Sequence, residues 1–477
     1  MSRSLQAVEI RTIGEKRGNP RLWIDGAQAV KGGFTPGVQY TPKVDEARCL
    51  LTLEIVENGE RVVSKKVVRD REIPVIDINN GDLLGMFVKL GLTAVRIVVQ
   101  SRRIFVLPVA SELRAKERLD RLKSKLVAQE PLDIGSYSAG VGILDRAAHE
   151  GLKSAGIASR LAYANEIRAD CMEHAFERNP VYDAKTILLT APMQEVVFDD
   201  WLMGQLPKLD GLIIGIPCSG ASNAGRTKLK LEHPENHPDV GHLVVPLLAA
   251  VAKSSPAFLG IECVPGWLNT ASAAIARSML RDLGYVVHET VLNAADWNML
   301  EHRERMCMVA VTQGLDFSFD LVQRPEPQER QLAEIMDQVP LDNKCWSELT
   351  YLKEKQTRDE AAGKGFKMTI VDETATKVPT LNKTLAKRQS TGTFIRHPEN
   401  PDLLRIPTVC EHARAKGIWE DMVRDVTQTF GHEICGQAVS TPPFIAVFKA
   451  IGDMLQRFKQ AIEVRFTSFV RADLKAA

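Results

Sequence analysis

The chain has 477 residues, 44% of them hydrophobic and 25% charged, and its 61 Lys and Arg against 60 Asp and Glu leave a formal charge of +1. That length predicts two or three domains. No apolar run reaches the roughly 18 residues a membrane helix needs. The opening MSRSLQAVEIRTIGEKRG holds no apolar signal core, and the 8 cysteines form no C-x-x-C pair of the zinc-ribbon or redox kind. A cytoplasmic protein with reduced thiols is expected. Near-neutrality does not exclude nucleic acid as a partner, because phosphate affinity depends on where basic groups cluster.

Residues 1–110 read as a β-rich domain. RLWID (21–25), CLLTLEIV (49–56), RVVSKKVV (61–68) and IPVIDI (73–78) are short β-branched or alternating runs, and 94–108 reads as two strands about a Ser101–Arg102 turn. The segment RLWIDG…GGFTPG is faintly similar to small swapped-hairpin DNA-binding modules, but docking or dimerisation is the stronger expectation. A homodimer through this domain follows from it. No internal repeat is visible.

Residues 111–130 predict a basic linker helix with Ser111 as N-cap. Leu113, Leu119, Leu122 and Leu126 fall near one face. Arg114, Lys116, Arg118, Arg121, Lys123 and Lys125 dominate the rest, as a solvated face or a DNA-backbone contact.

From 131 to 312 short apolar runs alternate with amphipathic stretches. That rhythm predicts an α/β fold, a Rossmann-like, mostly parallel sheet with helices on both faces. Residues 313–400 lose the rhythm and carry prolines and charged stretches, which predicts an inserted, loop-rich domain. Residues 401–477 end in a helical stretch expected to return to the sheet.

Four segments carry candidate chemistry. GIPCSGASNAGR (215–226) follows an apolar strand, so Cys218 stands at a carboxyl end, where doubly wound folds bind ligands. Locally it reads either as a reactive thiol or as a structural cysteine. FLGIECVPGW (258–267) ends a strand at Glu262, and a carboxylate there is costly unless paired or functional. SYSAGVG (136–142), with Glu166 closing the next strand, suits a nucleotide whose ribose the acid would hold. In the fourth, Arg303 and Arg305 alternate before a buried strand and so share a side. His233, His237 and His242 lack supporting acid or cysteine spacing, so no metal is expected.

Taken in order, these segments resemble the DNA (cytosine-5)-methyltransferase family over about 131–312 and 397–455. Pro217-Cys218 is similar to the family's Pro-Cys nucleophile motif, and Glu262-Cys263-Val264 to its Glu-Asn-Val. Glu301-His302-Arg303-Glu304-Arg305 resembles Gln-x-Arg-x-Arg, with glutamate in place of the first glutamine. RIPTVCEHARAKG (405–417) resembles Arg-x-x-Thr-Pro-x-Glu, and GQAVSTPP (436–443) the Gly-Asn-x-Val segment. The departures are Ser219 after Pro-Cys, Gln437 for Asn, and extra residues in DIGSYSAGVG. No clear aspartate in LLTAPMQEV matches the family's third acidic cofactor residue.

The resemblance implies an S-adenosylmethionine-dependent enzyme that methylates C5 of a flipped cytosine in double-stranded DNA at a short sequence, in a restriction-modification setting. It implies catalytic roles for Cys218, Glu262, Arg303 and Arg305. Cofactor contacts fall on Tyr137, Ala139, Gly140, Gly142, Glu166, Pro217, Gln437 and Val439, with Tyr137 stacking on the cofactor. DNA contacts fall on Ser219, Arg226, Lys228, Lys383 and Arg388, and 313–400 becomes the target-recognition domain. The alternatives are an RNA cytosine-5-methyltransferase, disfavoured by glutamate where that family has threonine before a cysteine (Cys263), and a catalytically silent DNA-binding regulator.

Overall fold

The computed structural model describes residues 4–365 and 367–476, with the side chains of Asn223, Ala224, Lys228 and 463–476 outside the described set. The chain divides into two compact units, 1–117 and 118–477.

The first unit contains β1 (Leu5–Thr12), β2 (Gly14–Lys16), β3 (Asn19–Asp25), α1 (Ala27–Lys31), β4 (Gln39–Asp45), β5 (Leu50–Ile55), β6 (Arg61–Val62), β7 (Ser64–Val68), β8 (Arg71–Asn79), α2 (Gly81–Lys89), β9 (Ala94–Gln100) and β10 (Arg103–Pro108). Strict alternation builds it. Val95, Ile97 and Val99 of β9 face inward with Ile104 and Val106 of β10, and with Leu22, Ile24, Leu51, Leu53, Ile76 and Ile78 they form one core. Each such side chain removed from water contributes about 1.5–3 kcal/mol.

The unit is an internal duplication that the sequence hides. Matching β1–β5 with β6–β10 one to one makes both sheet orders palindromic: β1-β9-β10-β5-β4-β6 and β2-β3-β8-β7. The first strand of each half pairs with the other half, β1 with β9 and β6 with β4. The hairpins β2–β3 and β7–β8 both turn through two residues of positive φ, Arg17 (55°) with Gly18 (79°) and Arg69 (51°) with Asp70 (62°). That is the turn whose twist matches paired strands. The expectation of no repeat is therefore corrected. The halves share topology.

The second unit follows with α3 (Ala110–Ala128), β11 (Leu132–Tyr137), α4 (Ile143–Ser154), β12 (Ser159–Asn165), α5 (Ala169–Arg178), β13 (Ile187–Leu189), α6 (Met193–Val197), α7 (Asp200–Gln205), β14 (Gly211–Gly215), α8 (Asn223–Leu229), α9 (Val244–Ser254), β15 (Phe258–Cys263), α10 (Ala271–Asp282), β16 (Tyr285–Asn293) and β17 (Glu304–Thr312). The sheet order is β13-β12-β11-β14-β15-β17-β16. β13 to β15 run parallel, while β17 is antiparallel to both neighbours. This is the expected mostly parallel α/β sheet.

Beyond it lie α11 (Thr350–Ala361), β18 (Thr369–Val371), β19 (Thr393–Arg396), β20 (Leu404–Arg405), α12 (Val409–Arg414), α13 (Gln428–Gln437) and α14 (Thr441–Ala476). Strands β18–β20 form a small separate sheet, and residues 332–415 gather around their own cores near Trp346 and Phe394. Among the described residues no single helix is long and apolar enough to cross a membrane.

Arg114 and Lys123 of α3 are exposed, as a solvated face requires, but three other basic side chains depart from both readings. Arg118 is buried and donates to Thr312 Oγ1 (2.9 Å) and to the Leu283 carbonyl (2.9 Å). Arg121 donates to the carbonyls of Leu209 and Ser255, and Lys125 bridges Asp133 and the fully buried Asp210. Unsatisfied carbonyls and carboxylates at the amino-terminal edge of a parallel sheet need donors, and α3 supplies them. The helix also begins at Ala110, so Ser111 lies inside it and is not its N-cap.

Helix α14 lies on α4 through small residues. A Cβ added at Gly151 would stand 2.5 Å from the Ile445 carbonyl oxygen and 2.7 Å from Phe448 Cβ, whereas one at Gly204 in α7 would meet nothing within 4 Å. Gly151→Ala is expected to cost about 1–3 kcal/mol through overpacking, and Gly204→Ala to be neutral or to stabilise by about 0.5–1 kcal/mol. Thermal melts of both variants check this, and equal melting temperatures would refute the close contact.

Candidate active site

Strand β14 runs out at Gly215 and the chain turns through Ile216 and Pro217 to Cys218. The backbone amide of Ile216 still donates to the Glu262 carbonyl (2.9 Å), so the turn begins while held to β15. The Cys218 carbonyl then accepts from the amides of Ala221 (3.0 Å) and Ser222 (2.8 Å), which closes the loop and leaves the Cys218 side chain exposed. Of the two local readings, the buried structural cysteine does not hold. Cys263 is the buried one, directing its thiol at the Ile216 carbonyl (3.6 Å), and burial pushes that thiol well up.

Register places the acid beside the thiol's turn. Gly215 pairs with Glu262 across β14 and β15, and Glu262 with Cys307 across β15 and β17. Glu262 Oε1 lies 2.9 Å from Arg305 Nε, and the two side chains are only 13% and 14% exposed. Burial raises the Glu262 carboxyl above its ordinary value, while Arg305 and Arg303 pull the other way. Arg303 is buried deeper. It donates to the Gly436 carbonyl (3.0 Å) and stands 3.7 Å from Glu301, and burial beside Arg305 pushes its guanidinium down to about 10. Two alternating arginines thus divide their work. Arg305 meets the acid, and Arg303 ties the site to the segment at 436.

The glycine-rich turn after β11 uses positive φ at Ser138 (54°), Gly140 (58°) and Gly142 (74°). Glu166, at the end of β12, accepts from the Gly140 amide (2.8 Å) and the Arg168 amide (3.0 Å). Arg168 pairs with Glu433 (2.6 Å), whose carboxylate also receives Gln437 Nε2 (3.4 Å). Gly140, Glu166 and Gln437 therefore share one neighbourhood, with Ala139 half-buried beside them and Val439 buried below. Gly215 is near too, since a Cβ there would stand 3.2 Å from the Ser138 carbonyl oxygen.

Two expected cofactor contacts are corrected. Tyr137 is fully buried against Tyr163, with ring centroids 5.9 Å apart, and presents no open face for stacking. As the last residue of β11 it points into the core, so its neighbours on the turn are the ones exposed to a ligand. Gly142 is sealed beneath Tyr182 and Asn179, which a Cβ would strike at 2.5 and 2.6 Å, so it serves packing.

On the opposite side of the cysteine turn, Ser219 and Arg226 are exposed, and Arg226 donates to the Glu232 carbonyl (3.2 Å). The Lys228 side chain lies outside the described residues. Lys383 is exposed and Arg388 half-buried. Glu235 pins the loop that follows the cysteine by accepting from the Ser272 amide and hydroxyl, both at 2.8 Å. Pro217 and Trp267 help line a cavity of about 30 Å³ behind it. Three functional-side features escaped sequence reasoning: the Glu301–Lys416 pair, the adjoining His412–His432 pair (Nδ1 to Nδ1 3.0 Å), and Asp145 held between Ser136 and Tyr182. Glu301 and Lys416 are 115 positions apart, and no local pattern announces any of the three.

At the carboxyl edge of this sheet stand a glycine turn, the acid Glu166, an exposed cysteine and a largely buried glutamate–arginine pair. Residues 134–453 match the family described as C-5 cytosine-specific DNA methylase, and the chain belongs to that family. It is 26% identical over 261 residues to the type II methyltransferase M.MspI of Moraxella sp, covering 54% of this chain and 59% of the relative. Type II methyltransferase M1.ScrFI of Lactococcus lactis subsp. cremoris is 23% identical over 262 residues, covering 54% and 65%. The chain thus spans less than two thirds of either. In fold, the S. pombe Dnmt2 methyltransferase superposes with a TM-score of 0.52 at 16% identity, over 69% of this chain and 99% of that one.

Asp145 gives the glycine turn a measurable signature. It is 1% exposed and accepts from Ser136 (2.7 Å) and Tyr182 (2.6 Å), and burial pushes its carboxyl up to about 6 from 3.8. The folded state therefore holds this proton more tightly than the unfolded chain. The stabilisation is complete below pH 3.8 and is lost as pH rises through about 6. A shift of that size is worth about 3 kcal/mol. Asp145→Asn is expected to flatten the pH dependence of the urea midpoint between those limits. An unchanged slope would exclude the assignment.

Proposed function

We propose that the protein transfers a methyl group from S-adenosylmethionine to C5 of cytosine in double-stranded DNA, at a short fixed sequence and through a covalent Cys218 adduct. The observation that carries this reading is the exposed Cys218 on a turn tied to β15, whose Glu262 is buried against Arg305.

Cytosine C5 is a poor nucleophile. Addition of the Cys218 thiolate at C6 makes C5 enamine-like and divides one hard step into two. Glu262, its carboxyl raised by burial, can hold a proton at N3 as the ring accepts electrons. Arg305 orients that carboxyl and steadies the developing charge. The bound cofactor supplies an electrophilic methyl group on a sulfonium sulfur. Loss of the C5 proton to a base then lets the C6–S bond break, which restores the ring and the free thiol. The base must leave the duplex to reach Cys218, so flipping is part of the reading.

The cofactor's place fits these residues. Glu166 beside the Gly140 turn suits ribose hydroxyls, and Ala139, Pro217, Gln437 and Val439 border the same region. Ser219, Arg226, Lys228, Lys383 and Arg388 would contact DNA, and 313–400 would read the target. The named type II relatives support a restriction-modification role in the cytoplasm.

Bisulfite sequencing of DNA from cells expressing wild type or Cys218→Ser tests the reading. Methylcytosine at one short motif with wild type alone is expected. Methylation that survives Cys218→Ser would sink the nucleophile, and methylation found in RNA instead would move the substrate. Glu262→Gln is expected to lower kcat by about 10²–10⁴-fold with little change in DNA affinity. Equal losses in both would remove its role at N3.

A further inference from the structure

Glu301 and Lys416 are both 0% exposed and lie 3.0 Å apart, Oε2 to Nζ. Glu301 stands where the resemblance has a glutamine. Its Oε1 accepts from the Leu381 amide (2.8 Å), and Lys416 Nζ donates to the Leu381 carbonyl (3.2 Å). The pair thus grips both polar groups of one residue at the end of the recognition segment. The backbone repeats the connection, since Val378 donates to the Leu300 carbonyl (2.8 Å) and His302 to the Val378 carbonyl (3.1 Å). Two residues on from Glu301, Arg303 reaches the Gly436 carbonyl. Gly436 in turn rests on the backbone of Asn382 and Lys383 so closely that no side chain fits there.

Four segments meet around this one charge pair: the lead-in to Arg303 and Arg305, residues 378–383, the chain just after α12, and the end of α13 at Gly436. A buried ion pair is a costly way to hold a joint, and removing one partner leaves an uncompensated charge. Here Arg303 would feel the change, since it stands 3.7 Å from Glu301 and is electrostatically coupled to Arg305 and Glu262. The other titratable groups facing the pair are His412 on α12 and Cys435 on α13, with His432 behind His412. Burial beside Arg303 pushes the Lys416 ammonium down to about 7, and Glu301 holds it up.

We propose that Glu301 and Lys416 are positioning residues whose buried ion pair keeps segment 378–383, Arg303 and the end of α13 at Gly436 in a single arrangement. Their effect on catalysis rests on the methyltransfer reading above; their effect on the joint does not. A glutamine at 301 could serve Leu381 without a charge, whereas glutamate requires the lysine. The two positions therefore form one unit.

The test uses the full chain as Lys416→Gln, Glu301→Gln and the double variant Glu301→Gln/Lys416→Gln. Lys416→Gln removes the ammonium that holds Glu301 and the Leu381 carbonyl. Its kcat is expected to fall about tenfold or more. The double variant, which removes both charges of the pair, is expected to recover most of the rate. Equal rates in Lys416→Gln and the double variant would overturn the proposal. Amide exchange gives a second reading that needs no activity. Exchange across 378–383 and 433–439 is expected to quicken together in Lys416→Gln and to be restored in the double variant, and unchanged exchange would overturn the proposal. A wild type that methylates no DNA would sink the catalytic reading and leave the exchange result to decide the joint.

Discussion

Parallel pairing of β11, β14 and β15 brings their carboxyl ends to one edge of the sheet, and the chemistry of the protein hangs on that alignment. The glycine turn follows β11, Cys218 follows β14 and Glu262 closes β15. Gly215 opposite Glu262 sets their mutual height. Side chains alternate along a strand, so a slip of one residue in β15 would send Glu262 to the other face and leave Arg305 without its partner. Register is held firmly because both faces of these strands are buried in large apolar clusters.

Strand β14 is secured at both ends, by charge at one and by a backbone hydrogen bond at the other. Asp210, just before it, is fully buried and is met by Arg121 and Lys125 from α3. At the far end the Ile216 amide remains bonded to Glu262. The two edges use similar groups differently. At the amino edge cations saturate the carboxylates, and Lys125 with Arg160 holds Asp133 below its ordinary value. At the carboxyl edge burial outweighs the arginines, and Glu262 rises.

The first unit solves a different problem. A short β-rich chain has difficulty closing a core from one meander, and here two copies of one topology exchange their first strands to do so. Two-residue turns with positive φ at Arg17 and Arg69 keep each hairpin tight. Their equivalence shows in backbone and pairing.

The sequence by itself determined the alternation of strands and helices from 131 to 312, the strands of the first 108 residues and the order of the catalytic segments. These are carried by local periodicity and by short contiguous motifs, which need no knowledge of distant residues. It was silent where the determining contact spans the chain. Arg118, Arg121 and Lys125 look like a solvated basic face until Thr312, Leu209 and Asp210 arrive to receive them. Tyr137 looks like an aromatic plate for a cofactor, but β-strand alternation and Tyr163 turn it inward. Glu301 reads as a departure from its family's glutamine. Only folding brings Lys416, 115 positions later, against it. Periodicity is written into neighbouring residues, whereas burial and charge pairing are properties of the space that remote segments share. The tertiary structure alone decided which cations hold the scaffold and which acid burial raises above its ordinary value.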